Sequence, residues 1–147
     1  MHNFEPTKEI AVLNQPNMTP HLQFRQAALS AEKAGGDFYN VGTFYLNAAW
    51  CADDARAYPQ AREYRRLAAD AYAKSLLDVS CPLEQRPTIE YLIGELYRRS
   101  SDFDRCKQYY NQVIMRLPAR FAAMARKLMK LAAMGNADAI RFPPGNK

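Results

Sequence analysis

The sequence is poor in the residues that most often carry chemistry. Cys51, Cys81 and Cys106 are odd in number and far apart, and no CxxC occurs, so neither a disulfide framework nor a zinc site is indicated. Cys51 and Cys106 fall on apolar helix faces and read as small buried hydrophobes, and Cys81, beside Pro82, as a loop thiol. His2 and His21 are the only histidines, without a Cys, Asp or second His at ligand spacing, and His21 at a helix start reads as a surface residue. There is no phosphate-cradling glycine loop and no GxSxG. Asp53-Asp54 with Glu63 resemble a carboxylate pair but read as solvated helix-face charge rather than as a general acid and base. No apolar run is long enough to span a membrane, and MHNFEPTKEI has neither the basic start nor the apolar core of a secretory signal. The expectation is therefore a cytoplasmic protein with no membrane association, no catalytic centre, no metal and no cofactor.

What is present is the material of a core. Apolar residues make up 48% and aromatics 12% of 147 residues, too many for a disordered chain and enough for one folded domain. The net charge of +5 is unevenly spread. Arg98, Arg99, Arg105, Lys107, Arg116, Arg120, Arg126, Lys127 and Lys130 face only Asp102 and Asp104 in that stretch, while residues 1–97 hold more acids than bases. The C-terminal third is thus basic.

The stretch from Pro87 to Pro118 organises the chain. Ile89, Leu92, Ile93, Leu96 and Tyr97 recur at helical spacing, with Glu90, Glu95, Arg98 and Arg99 off that stripe. Gly94 costs about 1 kcal/mol against alanine in mid-helix, which close approach by a neighbouring helix would offset. Ser100-Ser101-Asp102 supplies turn and N-cap chemistry. A second helix follows, carrying Phe103, Cys106, Tyr110, Val113, Ile114 and Leu117 on one face. The spacing predicts an antiparallel helix hairpin.

This hairpin resembles a tetratricopeptide repeat. Counted from Pro87, Ile93-Gly94 fall on the repeat's Leu-Gly pair, Tyr97 on an aromatic, Cys106 on a small site, Tyr110 on an aromatic, Val113 on a second small site and Pro118 on the terminal proline. Glu90, beside Tyr91, stands where the early tryptophan is usual. A narrower resemblance, on YLNAAW (45–50), LAADAYAKSL (67–76) and residues 91–114, is to the helical part of an uncharacterised bacterial family over roughly residues 20–130. That family joins a cysteine-rich, zinc-binding segment to tetratricopeptide-like helices. The cysteine pairs are missing here, so no zinc function carries over.

The rest follows in order. Residues 1–18 read as an extended arm, 19–135 as one tetratricopeptide-like domain and 136–147 as a loose tail. Thr19-Pro20 starts a helix to about Ala34, with Phe24, Ala27, Ala28 and Ala31 as a narrow stripe; Gly35-Gly36 ends it and Asp37 caps the next. The helix from about Phe38 to Ala57 has Ala48 at the repeat's glycine position, and Trp50, off the main stripe, either packs against a neighbouring helix, the favoured reading, or sits partly open. Tyr58-Pro59 breaks the chain before a helix from Ala61 to Leu77, where Ala68, Tyr72 and Ser75 repeat the small–aromatic–small spacing. A last helix, Arg120–Met134, covers the end of the stack. The expected fold is all-α: a right-handed stack of antiparallel hairpins with about six helices.

By this resemblance the groove is lined by Thr88, Tyr91, Glu95, Arg98 and Arg99 of the central repeat and by Gly42, Tyr45, Ala49, Ala52 and Asp53 of the earlier one. Tyr45, Thr88, Tyr91, Glu95, Arg98 and Arg99 are the expected partner-binding residues, with the arginines meeting carboxylates. The implied role is a non-catalytic scaffold or adaptor that binds a peptide or helix of a protein partner, preferentially an acidic one. Two other readings stay open: a nucleic-acid-binding helical domain resting on the basic third, and a self-associating structural protein forming a homo-oligomer.

Overall fold

The structure is a computed structural model, and it describes residues 19–140. All regular structure among the described residues is helical, in six α-helices and two short 3-10 turns. The chain divides between Leu83 and Glu84 into two compact units, where the sequence suggested one domain over 19–135. The first unit contains α1 (Pro20–Lys33), α2 (Phe38–Asp54) and α3 (Tyr58–Leu77). The second contains α4 (Arg86–Arg99), α5 (Phe103–Val113) and α6 (Ala119–Ala133). The arm expected over 1–18, and residues 141–147 of the expected tail, lie outside the described residues.

In the first unit α2 packs against both α1 and α3. Alanines make this possible: Ala28, Ala48, Ala49, Ala52, Ala68 and Ala69 are all fully buried, so backbones approach closely. α2 and α3 are antiparallel, since Gly42 meets Tyr72 while Asp53 meets Arg65. A methyl group at Gly42 would lie 2.7 Å from Tyr72 Cδ1. The position that admits the tyrosine ring is therefore Gly42 and not Ala48, which is buried but six residues further along. Tyr72 is held there by a 3.0 Å hydrogen bond with Thr43 Oγ1.

Other local expectations are corrected. Pro59 does not break the chain; it sits in the first turn of α3, where a missing N–H costs nothing. Thr19 occupies the N-cap of α1 without a side-chain cap bond, whereas Asp37 accepts from the Asn40 N–H at 2.7 Å. His21 is buried, its Nδ1 3.0 Å from the Tyr64 hydroxyl. Trp50 is 54% exposed, because the inward face of α2 is taken up by the alanines.

Most helices stop through a residue in the left-handed region: Gly35, Arg56, Ser101 and Gly135, each followed by a residue whose N–H reaches back into the last turn. After α3 that residue is Val79, with φ 57°. A β-branched side chain is strained in this conformation, and Val79 is 81% exposed, so it contributes little burial in return. Val79→Gly is expected to raise stability by about 1 kcal/mol, read as a higher denaturant midpoint at unchanged slope.

The second unit repeats the glycine–tyrosine device more tightly. A methyl at Gly94 would lie 2.2 Å from Tyr110 Cζ. The Tyr110 ring is fully buried against α4, and its hydroxyl donates to the Tyr91 carbonyl at 2.6 Å. Cys106, Val113 and Leu117 complete the buried face around it, as the spacing predicted, while Phe103 and Ile114 of the same expected face are half-buried. α5 does not run to Pro118; it tightens into the 3-10 turn Ile114–Arg116, and Pro118 caps α6 instead. α6 packs on both α4 and α5 through Ala122, Ala125, Leu128 and Ala132.

Candidate functional site

Tyr91, Glu95 and Arg98 stand at i, i+4 and i+7 and so share one face of α4. The structure brings these three together and places the chain's own residues over them. The Tyr91 ring stacks on Phe121 of α6 with centroids 5.3 Å apart, and on Tyr110 at 6.3 Å. Burial, with the charge of Glu95 added, pushes the Tyr91 phenol up to about 12.

Arg98 is the largest fully buried side chain among the described residues. Its guanidinium donates to both oxygens of Glu95 at 2.8 Å, to the Asn136 carbonyl at 2.6 Å and to the Asp138 carbonyl at 2.8 Å. Burial alone would lower its pKa, but the hydrogen bonds and charge of Glu95 outweigh that and hold it above the ordinary arginine value. The cation is thus permanent and four times bonded. The sequence set Arg98 off the apolar stripe, among the residues expected to meet a partner. The structure buries it because acceptors are supplied from beyond α6, where helical spacing has no reach.

The same holds for Glu90, placed off the stripe by the sequence and buried in the structure. Arg116, from the 3-10 turn after α5, donates to its Oε2 from Nε at 3.1 Å and from the terminal nitrogen at 2.6 Å. A carboxylate in a core position survives only with such a partner.

The remaining expected contacts differ in their surroundings. Thr88 is exposed at the start of α4, and Arg99 is half-buried at its end. Tyr45 lies in the first unit, where it is buried. Of its expected groove neighbours, Gly42 faces Tyr72, Ala49 and Ala52 are fully buried, and Asp53 pairs with Arg65. Glu63 pairs with Arg66, so Asp53 and Glu63 each have a basic partner on α3. Among the described residues no group of three His, Cys, Asp or Glu side chains is placed to hold a metal ion. The Cys106 thiol is pushed up to about 12, first by burial and then by Glu95, which keeps it protonated.

In the basic third, Arg98 is buried against Glu95, and Arg116, itself exposed, reaches over the buried Glu90. Arg120, Arg126, Lys127 and Lys130 are exposed on α6, a helix with no acidic residue of its own. Among the described residues no helix is long and apolar enough to cross a membrane.

These features define an all-helical protein whose hairpins are keyed by glycine–tyrosine contacts. The chain belongs to the family described as "Uncharacterized protein conserved in bacteria (DUF2225)", whose family model matches residues 19–132. No curated protein and no solved structure matches it.

Proposed function

We propose that this chain is a non-catalytic, tetratricopeptide-like interaction module of the cytoplasm that binds an extended peptide or helix of an acidic protein partner. The observation that carries the reading is the duplicated packing device. In each unit a helix glycine admits a tyrosine ring from the antiparallel neighbour, Gly42 with Tyr72 and Gly94 with Tyr110. On this reading each hairpin is one repeat of a helical-repeat protein, and proteins of that kind offer extended surfaces to partners. On this reading Thr88, Tyr91, Glu95, Arg98 and Arg99 form the peptide-facing side of α4, and Tyr45 belongs to the corresponding helix of the earlier repeat.

A library of displayed peptides selected on the full chain tests this. The expected result is enrichment of acidic peptides that bind with micromolar affinity and at least tenfold more weakly to Arg99→Glu. Recovery of nothing beyond a charge-matched control would remove the proposal. A second reading, nucleic-acid binding, rests on the four exposed cations of α6. Duplex DNA and single-stranded RNA belong in the same assay, where affinity falling steeply with salt would favour that reading instead.

A further inference from the structure

The acceptors chosen by Arg98 are unusual. Two of its four bonds go to main-chain carbonyls two residues apart, in a stretch with no regular structure beyond the end of α6. Glu95 grips the other edge of the guanidinium and fixes its plane. Nothing in this contact reads a side chain of the gripped segment: Asp138 and Ala139 are exposed, and Asn136 and Ala137 are half-buried. The segment is lightly tied elsewhere. Its other ties among the described residues are the Asn136 N–H to the Leu131 carbonyl at 2.9 Å, through the left-handed Gly135, and the Asp138 N–H to Asn136 Oδ1 at 2.8 Å.

We propose that Glu95 and Arg98 form a main-chain clamp for an extended peptide, taken by two carbonyls two residues apart, and that residues 136–138 occupy it in cis as a removable strap. This rests on reading the α4 face as the binding face, and it adds how access to that face is controlled. A tethered segment competes at an effective concentration in the millimolar range. A partner's apparent affinity is therefore reduced by the fraction of molecules with the strap open. Because the clamp reads backbone, the partner is defined by being extended and by what flanks the gripped residues.

The test uses the full chain. Gly135→Val disfavours the left-handed turn that aims the segment at the clamp, and Asn136→Pro removes the N–H bonded to Leu131 and disfavours the same turn; neither alters Glu95 or Arg98. The probe is a synthetic peptide of residues 134–140, titrated by calorimetry. The wild type is expected to show no saturable heat below about 1 mM. Each variant is expected to bind at least tenfold more tightly, and adding Glu95→Ala is expected to abolish that gain. Equal behaviour of the wild type and both variants, or a gain that survives Glu95→Ala, would overturn the proposal. Should both variants melt early, amide exchange of residues 136–140 in the wild type decides. Exchange at least a hundredfold faster than in the middle of α4 supports a removable strap, and exchange as slow as α4 overturns it. A selected peptide that binds wild type and strap variants alike sinks the strap but leaves the module standing, while strap competition without any selected peptide does the reverse.

Discussion

Gly94→Ala is expected to lower the stability of the second unit by about 2–3 kcal/mol, although alanine is the better helix former. The propensity gain is about 1 kcal/mol. Against it stands a methyl carbon 2.2 Å from Tyr110 Cζ, far inside contact distance. The ring has nowhere to go: it is fully buried, stacks on Tyr91 and is bonded to the Tyr91 carbonyl through its hydroxyl. Overpacking at such a point ordinarily costs about 1–3 kcal/mol and more when the neighbour is fixed, so the clash wins. Denaturant unfolding followed by circular dichroism measures the loss. The internal check is a double-mutant cycle. In a Tyr110→Leu background the same alanine should be close to neutral, because the atoms it strikes are gone. Gly42→Ala should cost less than Gly94→Ala, since its added methyl would meet Tyr72 at the longer distance of 2.7 Å. A Gly94→Ala protein as stable as the wild type would mean that α4 and α5 are not packed as described.

Arg98→Met is expected to cost about 3 kcal/mol, in the range found when one member of a buried ion pair is removed. Methionine keeps much of the volume and removes all four donated bonds, leaving Glu95 without its partner and the Asn136 carbonyl without its donor. The Asp138 carbonyl belongs to an exposed residue and regains water more readily, which keeps the loss at the lower end. Arg98→Lys retains the charge but not the planar fork that reaches Glu95 on one side and two carbonyls on the other, so it should recover less than half of the difference. Thermal unfolding of the three proteins gives the comparison. If methionine proves neutral, the pair is not enclosed as described.

The helices of the second unit were legible in the sequence because its apolar residues keep helical spacing. Gly94 and Tyr110 fall where the helical period places them, and both do what that placement requires. In the first unit the longer helices displace the register. Alanines at several positions offered equally good small sites, and nothing local distinguished Ala48 from Gly42. The contact that decides is made by Tyr72, thirty residues beyond Gly42 in the chain. The burial of Glu90 and Arg98 was hidden for a related reason: helical periodicity sorts residues by polarity and sets a charge off the buried stripe unless the compensating group is near in sequence. Glu95 is near Arg98, and that i, i+3 pair was visible in principle. Arg116, Asn136 and Asp138 are not near their partners. Their acceptor and donor atoms are brought in by the turn after α5 and by the segment after α6, and two of those atoms are backbone carbonyls that every residue possesses. His21 belongs with them, its partner Tyr64 lying on another helix.

Trp50 has a practical consequence. It is the single indole of the chain, it stands on α2, and more than half of it is open to solvent. Intrinsic emission excited at the indole band is therefore an optical label for the first unit alone, and collisional quenchers reach it without any unfolding. Ellipticity, by contrast, sums over helices on both sides of the Leu83–Glu84 division. The two signals recorded on one sample resolve whether the halves melt together or one after the other, with no dye attached.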